Sequence, residues 1–223
     1  MKLKNFLTIA FLFSLISLLG FSFMALLVNK NSLVQFDRVI INFIQGLESP
    51  ALTSIMKIFT FIGSTVFILV LTCVVLYLLY KVFKHRSELI LFIAAIIGSN
   101  ILFLSLKLFF HRARPDLHRL IEISGYSFPS GHATIAMTVY GMITFLFWRH
   151  IPTKLGRTLL IILSTIMILL IGISRIYLGV HYPSDVIAGY FTGVFWISSL
   201  IWVYQRYKEK QFERNQATNK KYT

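Results

Sequence analysis

Charged side chains and cysteines are both scarce in this sequence. Charged residues make up 13% of the 223 residues, whereas an average soluble domain has about 25%. Hydrophobic residues make up 57%, and the mean hydropathy is +0.75. This composition excludes intrinsic disorder, and it predicts a chain that lies in a bilayer, because a soluble fold cannot bury so much apolar surface. Cys73 is the only cysteine, which excludes a module held together by disulfides.

Acidic residues are rare as well, with eight Asp and Glu against 22 Lys and Arg and a formal net charge of +14. Such a charge is common in nucleic-acid-binding proteins. Here, however, most basic residues lie in short segments between long apolar runs, which is where they set the orientation of membrane proteins. We therefore expect the partner of this charge to be the lipid bilayer, with no role for nucleic acid.

Six apolar runs have the length of a membrane span or come close to it, given about 30 Å of hydrocarbon and 1.5 Å per helical residue. The fourth and fifth are short, so we expect their helices to extend further. The runs are Phe6–Val28, Ile58–Tyr80, Leu89–Phe110, Ala133–Trp148, Thr158–Ile173 and Val186–Tyr204.

Residues 33–47, between the first two runs, are apolar at helical spacing, with Asp37, Arg38, Asn42 and Gln45 on the other face. This pattern predicts a short helix in the outer interface, either as a cap on the bundle or as a guide for a lipid. The predicted fold is all-α, an integral membrane bundle of six transmembrane helices with this interfacial helix after the first span. Residues 1–204 form the predicted domain, and residues 205–223 form a basic cytoplasmic tail.

The distribution of Lys and Arg predicts the orientation of the spans. If the N-terminus is cytoplasmic and six spans alternate, 14 of the 22 basic residues face the cytoplasm, among them Lys2, Lys84 and those of the tail. This bias predicts a multi-pass cell-membrane protein with both termini in the cytoplasm. The eight outward residues are Lys30, Arg38, Lys57, Lys107, Arg112, Arg114, Arg119 and Arg175.

Two polar clusters lie at the predicted outer ends of spans three and four. Lys107, Arg114 and Pro115 occur in KLFFHRARP, where two cations at a membrane boundary could also be simple anchors. Residues 129–132, in FPSGHA, begin the fourth span, and no acidic residue complements the dipole of its first turn. A helix N-terminus of this kind favours a bound anion.

A third cluster joins the ends of spans five and six, in SRIYLGVHYPSD. Arg175 ends the fifth span, and Asp185 follows His181 by four residues, so its carboxylate can hold the histidine's Nδ1–H. All three clusters fall on one membrane face. Together they contain three cations, a helix N-terminus and two histidines, a combination that indicates a site that binds and cleaves a phosphate.

The ordered pattern K-x6-RP, PSGH and SR-x5-H-x3-D, in residues 107–115, 129–132 and 174–185, resembles the phosphatase signature of the type 2 phosphatidic acid phosphatase family. The resemblance covers about residues 95–195. Within the family, the size and layout are similar to those of bacterial phosphatidylglycerophosphatase B-type enzymes. The resemblance implies a membrane-bound lipid phosphate phosphatase, and the orientation predicted from the basic residues puts its active site on the extracytoplasmic face.

The resemblance also implies a role for each motif residue in hydrolysis through a phosphohistidine. His181 is the expected nucleophile, Asp185 orients it, and His132 is the general acid and base. We expect neither metal nor cofactor, because the outer segments lack the clustered carboxylates of a two-metal site. The expected phosphate-binding residues are Lys107, Arg114, Ser130, Gly131 and Arg175.

The motifs recognise phosphate and not the lipid tail, so several substrates fit them. The favoured one is phosphatidylglycerol phosphate, hydrolysed to phosphatidylglycerol and phosphate. Undecaprenyl diphosphate, in carrier-lipid recycling, and phosphatidic acid are the alternatives. An anion transporter is disfavoured because the cations gather at one face. An inactive lipid-phosphate receptor is disfavoured because it need not keep His132, His181 and Asp185 together.

Overall fold

The computed structural model describes residues 3–82, 86–116 and 118–222, and within these ranges its regular structure is entirely helical. The predicted all-α class is therefore confirmed. Lys2 and Lys84, both used in the orientation count, lie outside the described residues. The helices are α1 (Leu3–Asn29), α2 (Val34–Gln45), α3 (Pro50–Ile62), α4 (Thr65–Tyr77, continued by a π-helical turn Leu78–Val82), α5 (Arg86–Phe110), α6 (Gly131–Phe147), α7 (Lys154–Tyr177) and α8 (Pro183–Tyr222).

Five of the described helical segments are long and apolar enough to cross a membrane. The remaining span of the predicted bundle is α6, which has 17 residues and a length of about 25 Å. It packs against α5, α7 and α8, and its residues Ala133, Ala136, Val139 and Met142 are fully buried. Since α6 is surrounded by protein, neighbouring helices provide most of its environment. The five long segments are Leu7–Asn29, Thr65–Val82, Arg86–Phe110, Lys154–Tyr177 and Pro183–Gln216.

The prediction of the second span was wrong at its start. Residues Ile58–Tyr80 were expected to form one helix, but α3 ends at Ile62 and α4 begins at Thr65. Gly63 follows the last residue of α3, and the Ser64 side chain accepts a hydrogen bond from the Phe67 N–H at the start of α4. Hydropathy is continuous across this break, so only the Gly-Ser pair, which combines a helix end with an N-cap, marks it in the sequence.

The interfacial helix α2 occurs where it was predicted, but Asp37 faces the other way. It was expected on the polar, solvent-facing side, and it is instead 1% exposed and contacts Ser184 at the start of α8. Val39 and Phe43 of α2 are exposed. In a helix that lies in a membrane interface, such apolar side chains contact lipid while a polar side chain turns to the protein.

The last helix, α8, has 40 residues, which corresponds to about 60 Å, or twice the thickness of the hydrocarbon layer. It continues without interruption through the predicted boundary between domain and tail at residue 204. Along its membrane part it packs extensively against α1 and α6. The division into a domain and a tail stays a prediction.

Candidate active site

The three polar clusters meet where α5 and α7 end and α6 and α8 begin. The Ser130 N–H donates to the Asp185 carbonyl oxygen at 3.0 Å, which joins the first turns of α6 and α8. Gly189 permits this close approach, because a Cβ there would lie 2.7 Å from the Ser130 carbonyl oxygen. Gly131 begins α6, and a Cβ there would lie 2.9 Å from the Phe103 ring. Glycine at both positions therefore lets the helix ends come together.

His181 and Asp185 form a buried pair, 2% and 0% exposed. The His181 Nδ1 lies 3.3 Å from the Asp185 Oδ2, and the His181 Nε2 lies 3.2 Å from the Arg114 Nη1. Because a guanidinium can only donate, Nε2 must accept, which places the imidazole proton on Nδ1. Burial outweighs the Asp185 charge and lowers the pKa of His181 to about 3, so the ring is neutral at physiological pH with its lone pair on Nε2.

The loop of residues 124–127 holds two of the predicted cations by its carbonyl oxygens. The Lys107 Nζ donates to the Tyr126 carbonyl at 2.5 Å, and the Arg114 Nε donates to the Gly125 carbonyl at 2.9 Å. The Arg114 Nη1 also donates to the Val180 carbonyl at 2.8 Å. These bonds hold the Lys107 ammonium near the end of α5 and the Arg114 guanidinium in the following loop. The Arg114 guanidinium lies beside the Nε2 of His181.

Two predicted phosphate-binding side chains are buried with unused hydrogen-bond donors. Arg175 is 2% exposed and donates from Nη1 to the Thr60 hydroxyl of α3. Its Nε and Nη2, and the Ser130 hydroxyl, have no hydrogen-bond partner among the described residues. Ser130 is the N-cap residue of α6, yet its side chain makes no capping bond. Buried donors of this kind cost free energy unless an acceptor reaches them, and phosphate oxygens are such acceptors.

His132, in the first turn of α6, lies within electrostatic reach of the cations Arg175, Lys107 and Arg114. Its ring packs against the break between α3 and α4. A Cβ at Gly63 would lie 3.1 Å from the His132 Cδ2. The second span, whose start was mispredicted, thus forms part of the site. The structure brings all eight predicted site residues together.

Sequence reasoning missed a set of polar residues behind Asp185. Ser127 donates from its hydroxyl to the Asp185 Oδ2. Arg112 donates from Nη1 to the Asp185 Oδ1 at 2.6 Å and from Nη2 to the Asp37 Oδ2 at 2.9 Å. Asp37 lies on α2, far away in sequence, and neither the motifs nor the spacing indicates this contact. The one available signal was the excess of basic residues in the outer loop, which contains Arg112.

The PAP2 superfamily model matches residues 88–209, which contain all three motifs. Phosphatidylglycerophosphatase B of Bacillus subtilis (strain 168) is 30% identical over 178 residues, covering 79% of this chain and 87% of that protein. An undecaprenyl-diphosphatase of Sulfolobus acidocaldarius is 45% identical over 75 residues, covering 34% of this chain and 32% of that protein. The crystal structure of a transmembrane PAP2-type phosphatidylglycerolphosphate phosphatase from Bacillus subtilis matches with a TM-score of 0.75 at 28% identity, covering 88% of this chain and 96% of that one.

Proposed function

Since the chain belongs to the PAP2 superfamily, we propose that the site at the ends of α5–α8 hydrolyses phosphatidylglycerol phosphate to phosphatidylglycerol and phosphate. The observation that carries this proposal is the position of the His181 Nε2, 3.2 Å from the Arg114 guanidinium in a site where Arg175 and Ser130 have unused donors. A nucleophilic nitrogen among anion-binding donors is what phosphoryl transfer requires.

In the first step, the Arg114 Nη1 donates to a phosphate oxygen in place of the His181 Nε2. The freed lone pair of Nε2 attacks phosphorus, and the bond from phosphorus to the glycerol oxygen breaks. His132, which is protonated once the negative charge of the bound phosphate offsets the surrounding cations, donates this proton to the departing oxygen, which leaves as a hydroxyl group. Asp185 accepts the hydrogen bond from Nδ1 and stabilises the positive charge that the ring gains. In the second step, His132 takes a proton from water, the hydroxide attacks phosphorus, and the N–P bond breaks to regenerate neutral His181.

The cations stabilise the charge on the phosphoryl oxygens during both steps. Arg175 offers two donors from a planar group, while Lys107 and Arg114 are held in place by the loop carbonyls. The backbone N–H groups at the start of α6 add fixed dipoles near Gly131. Because these groups are already oriented, little reorganisation is needed in the transition state.

The choice of substrate is supported by the match to phosphatidylglycerophosphatase B over most of both chains. Undecaprenyl diphosphate is the second candidate, favoured by the 45% identity to an undecaprenyl-diphosphatase over a shorter region. The same residues act on its terminal phosphate, with the inner phosphate as leaving group. Phosphatidic acid fits the same chemistry as a third substrate.

We further propose that both termini are cytoplasmic and that the site opens on the extracytoplasmic face. The excess of Lys and Arg in the segments opposite the site supports this orientation. A lipid substrate then keeps its tail in the outer leaflet while its phosphate reaches the helix ends.

The test measures phosphate release from phosphatidylglycerol phosphate and from undecaprenyl diphosphate in detergent with EDTA present. It compares the wild type with His181→Ala. We expect release by the wild type and none by the variant, with phosphatidylglycerol phosphate as the faster substrate. Equal release by both proteins would remove His181 as nucleophile. Faster release from undecaprenyl diphosphate would replace the first substrate by the second.

A further inference from the structure

Arg112 connects the interfacial helix α2 to the carboxylate behind His181. Its guanidinium bonds to the Asp185 Oδ1 at 2.6 Å through Nη1 and to the Asp37 Oδ2 at 2.9 Å through Nη2. Both carboxylates are buried, with side chains 2% and 0% exposed for Asp37 and Asp185. The Ser184 hydroxyl donates to Asp37 at 2.7 Å and accepts from the Arg112 Nη1 at 2.8 Å.

The geometry of this network is specific to arginine. A planar guanidinium can donate to two carboxylates at once, whereas a lysine ammonium is a single point charge. The Arg112 Cζ also lies 4.1 Å from the centroid of the Tyr182 ring, which fixes the plane of the guanidinium. Each buried carboxylate therefore has a charged partner in a defined orientation, without which its burial would be strongly unfavourable.

The two oxygens of Asp185 have separate partners. Oδ2 faces His181 Nδ1 and accepts from the Ser127 hydroxyl and the Tyr182 N–H. Oδ1 is bound by Arg112 alone among the hydrogen bonds found for the described residues. The bond to Oδ1 restrains the carboxylate from the side opposite the three contacts of Oδ2, so its loss leaves Oδ1 without a donor and weakens the hold on rotation about the Cβ–Cγ bond. Arg112 thereby helps to keep Oδ2 opposite the histidine, together with Ser127 and the Tyr182 N–H.

We propose that Asp37 and Arg112 are positioning residues that act through Asp185 on His181. This inference rests on the proposed function. The hydrogen bonds of Arg112 reach Asp185 and Asp37, whereas the contact at the His181 Nε2 comes from Arg114, so we expect the network to affect the chemical step and not substrate binding. Charges alternate along it, from Asp37 to Arg112 to Asp185 to the histidine that becomes cationic on attack. The interfacial helix α2 is on this basis part of the catalytic apparatus, in addition to any role as a cap or lipid guide.

The test measures kcat and KM of Arg112→Met, Arg112→Lys, Asp37→Asn and the double variant Asp37→Asn/Arg112→Met, each as monodisperse protein in detergent. We expect Arg112→Met to lower kcat by about 100-fold, the effect of displacing a catalytic group by about 1 Å, with KM within about twofold. Arg112→Lys recovers part of the loss. The double variant is no slower than Arg112→Met, because both changes break one network.

Two controls separate this inference from the proposed function. Arg38→Met removes a cation from the exposed face of α2, next to Asp37, and leaves both constants unchanged. His181→Ala removes all activity if the proposed function is correct, and residual phosphate release in that variant refutes the function itself.

With His181→Ala inactive, three results overturn the positioning role alone: an unchanged kcat in Arg112→Met, a rise in KM without a fall in kcat, or additive effects of the two changes. If Arg112→Met does not yield folded protein, Arg112→Lys and Asp37→Asn decide the question. A fall in kcat at constant KM in both supports the network, and wild-type kcat in either refutes it.

Discussion

The buried, uncharged His181 makes the stability of the protein sensitive to acid. Its pKa is about 3 in the folded protein, against an ordinary value near 6.5. Below about pH 6.5, His181 therefore binds a proton in the unfolded chain and stays unprotonated in the folded protein. The free energy of unfolding then falls as the pH decreases towards 3. At about 1.4 kcal/mol per pH unit, moving from pH 7 to pH 5 costs about 2 kcal/mol from this one residue.

Thermal unfolding in detergent, at pH 7 and pH 5, measures this effect by comparing the wild type with His181→Asn. Asparagine keeps an N–H donor near the position of Nδ1 and does not titrate, and all other groups are common to both proteins. By the scaling for chains of this size, about 2 kcal/mol corresponds to a melting temperature lower by about 4–8 °C. The wild type should lose this much more than the variant on acidification. An equal fall in melting temperature in the two proteins would refute the assignment of His181 as neutral in the folded protein at pH 5.

Three further outcomes are expected. Gly63→Ala places a Cβ 2.6 Å from Ile171 and 3.1 Å from His132. Because this displaces His132, kcat should fall by about tenfold while the protein still folds. A wild-type kcat would contradict the contact between the helix break and His132. Arg175→Lys removes the planar pair of donors, and kcat/KM for lipid phosphate hydrolysis should fall by about 100-fold or more; a loss below threefold would contradict its role. Phosphate release should persist in EDTA, and a loss that Mg²⁺ restores would show that a metal takes part.

The part of the site that could be predicted is the part encoded in short segments. His181 and Asp185 are one helical turn apart, and Lys107 and Arg114 are separated by seven residues, so each group is recognisable from spacing. The spans, apart from the start of the second, followed from apolar runs of span length or close to it, because lipid requires all backbone groups to be paired within a helix. If successive spans cross the membrane in opposite directions, the helix ends that carry the motifs all fall on one face of the membrane.

The remainder depends on contacts between distant segments. Asp37 and Arg112 are 75 residues apart, and nothing in the amphipathic pattern of α2 indicates that its carboxylate turns inward. The pattern separates polar from apolar residues only, so it does not distinguish a polar side chain in water from one that binds a buried cation. Asp37 is of the second kind, because it binds Arg112. The break at Gly63 was missed for a related reason. Hydropathy indicates whether a residue lies in lipid or in water, and it does not indicate where one helix ends and the next begins.

In the proposed orientation, the uninterrupted helix α8 connects two positions on opposite sides of the bilayer. Asp185 lies in its first turn, and Lys208 lies 23 residues later in the same helix, about 35 Å along its axis and further than the hydrocarbon is thick. A helix cannot fold back on itself, so the side on which the tail emerges determines the side on which phosphate is released. An epitope appended after Thr223 and detected in intact cells would therefore report the orientation of the catalytic centre without any measurement at the centre itself.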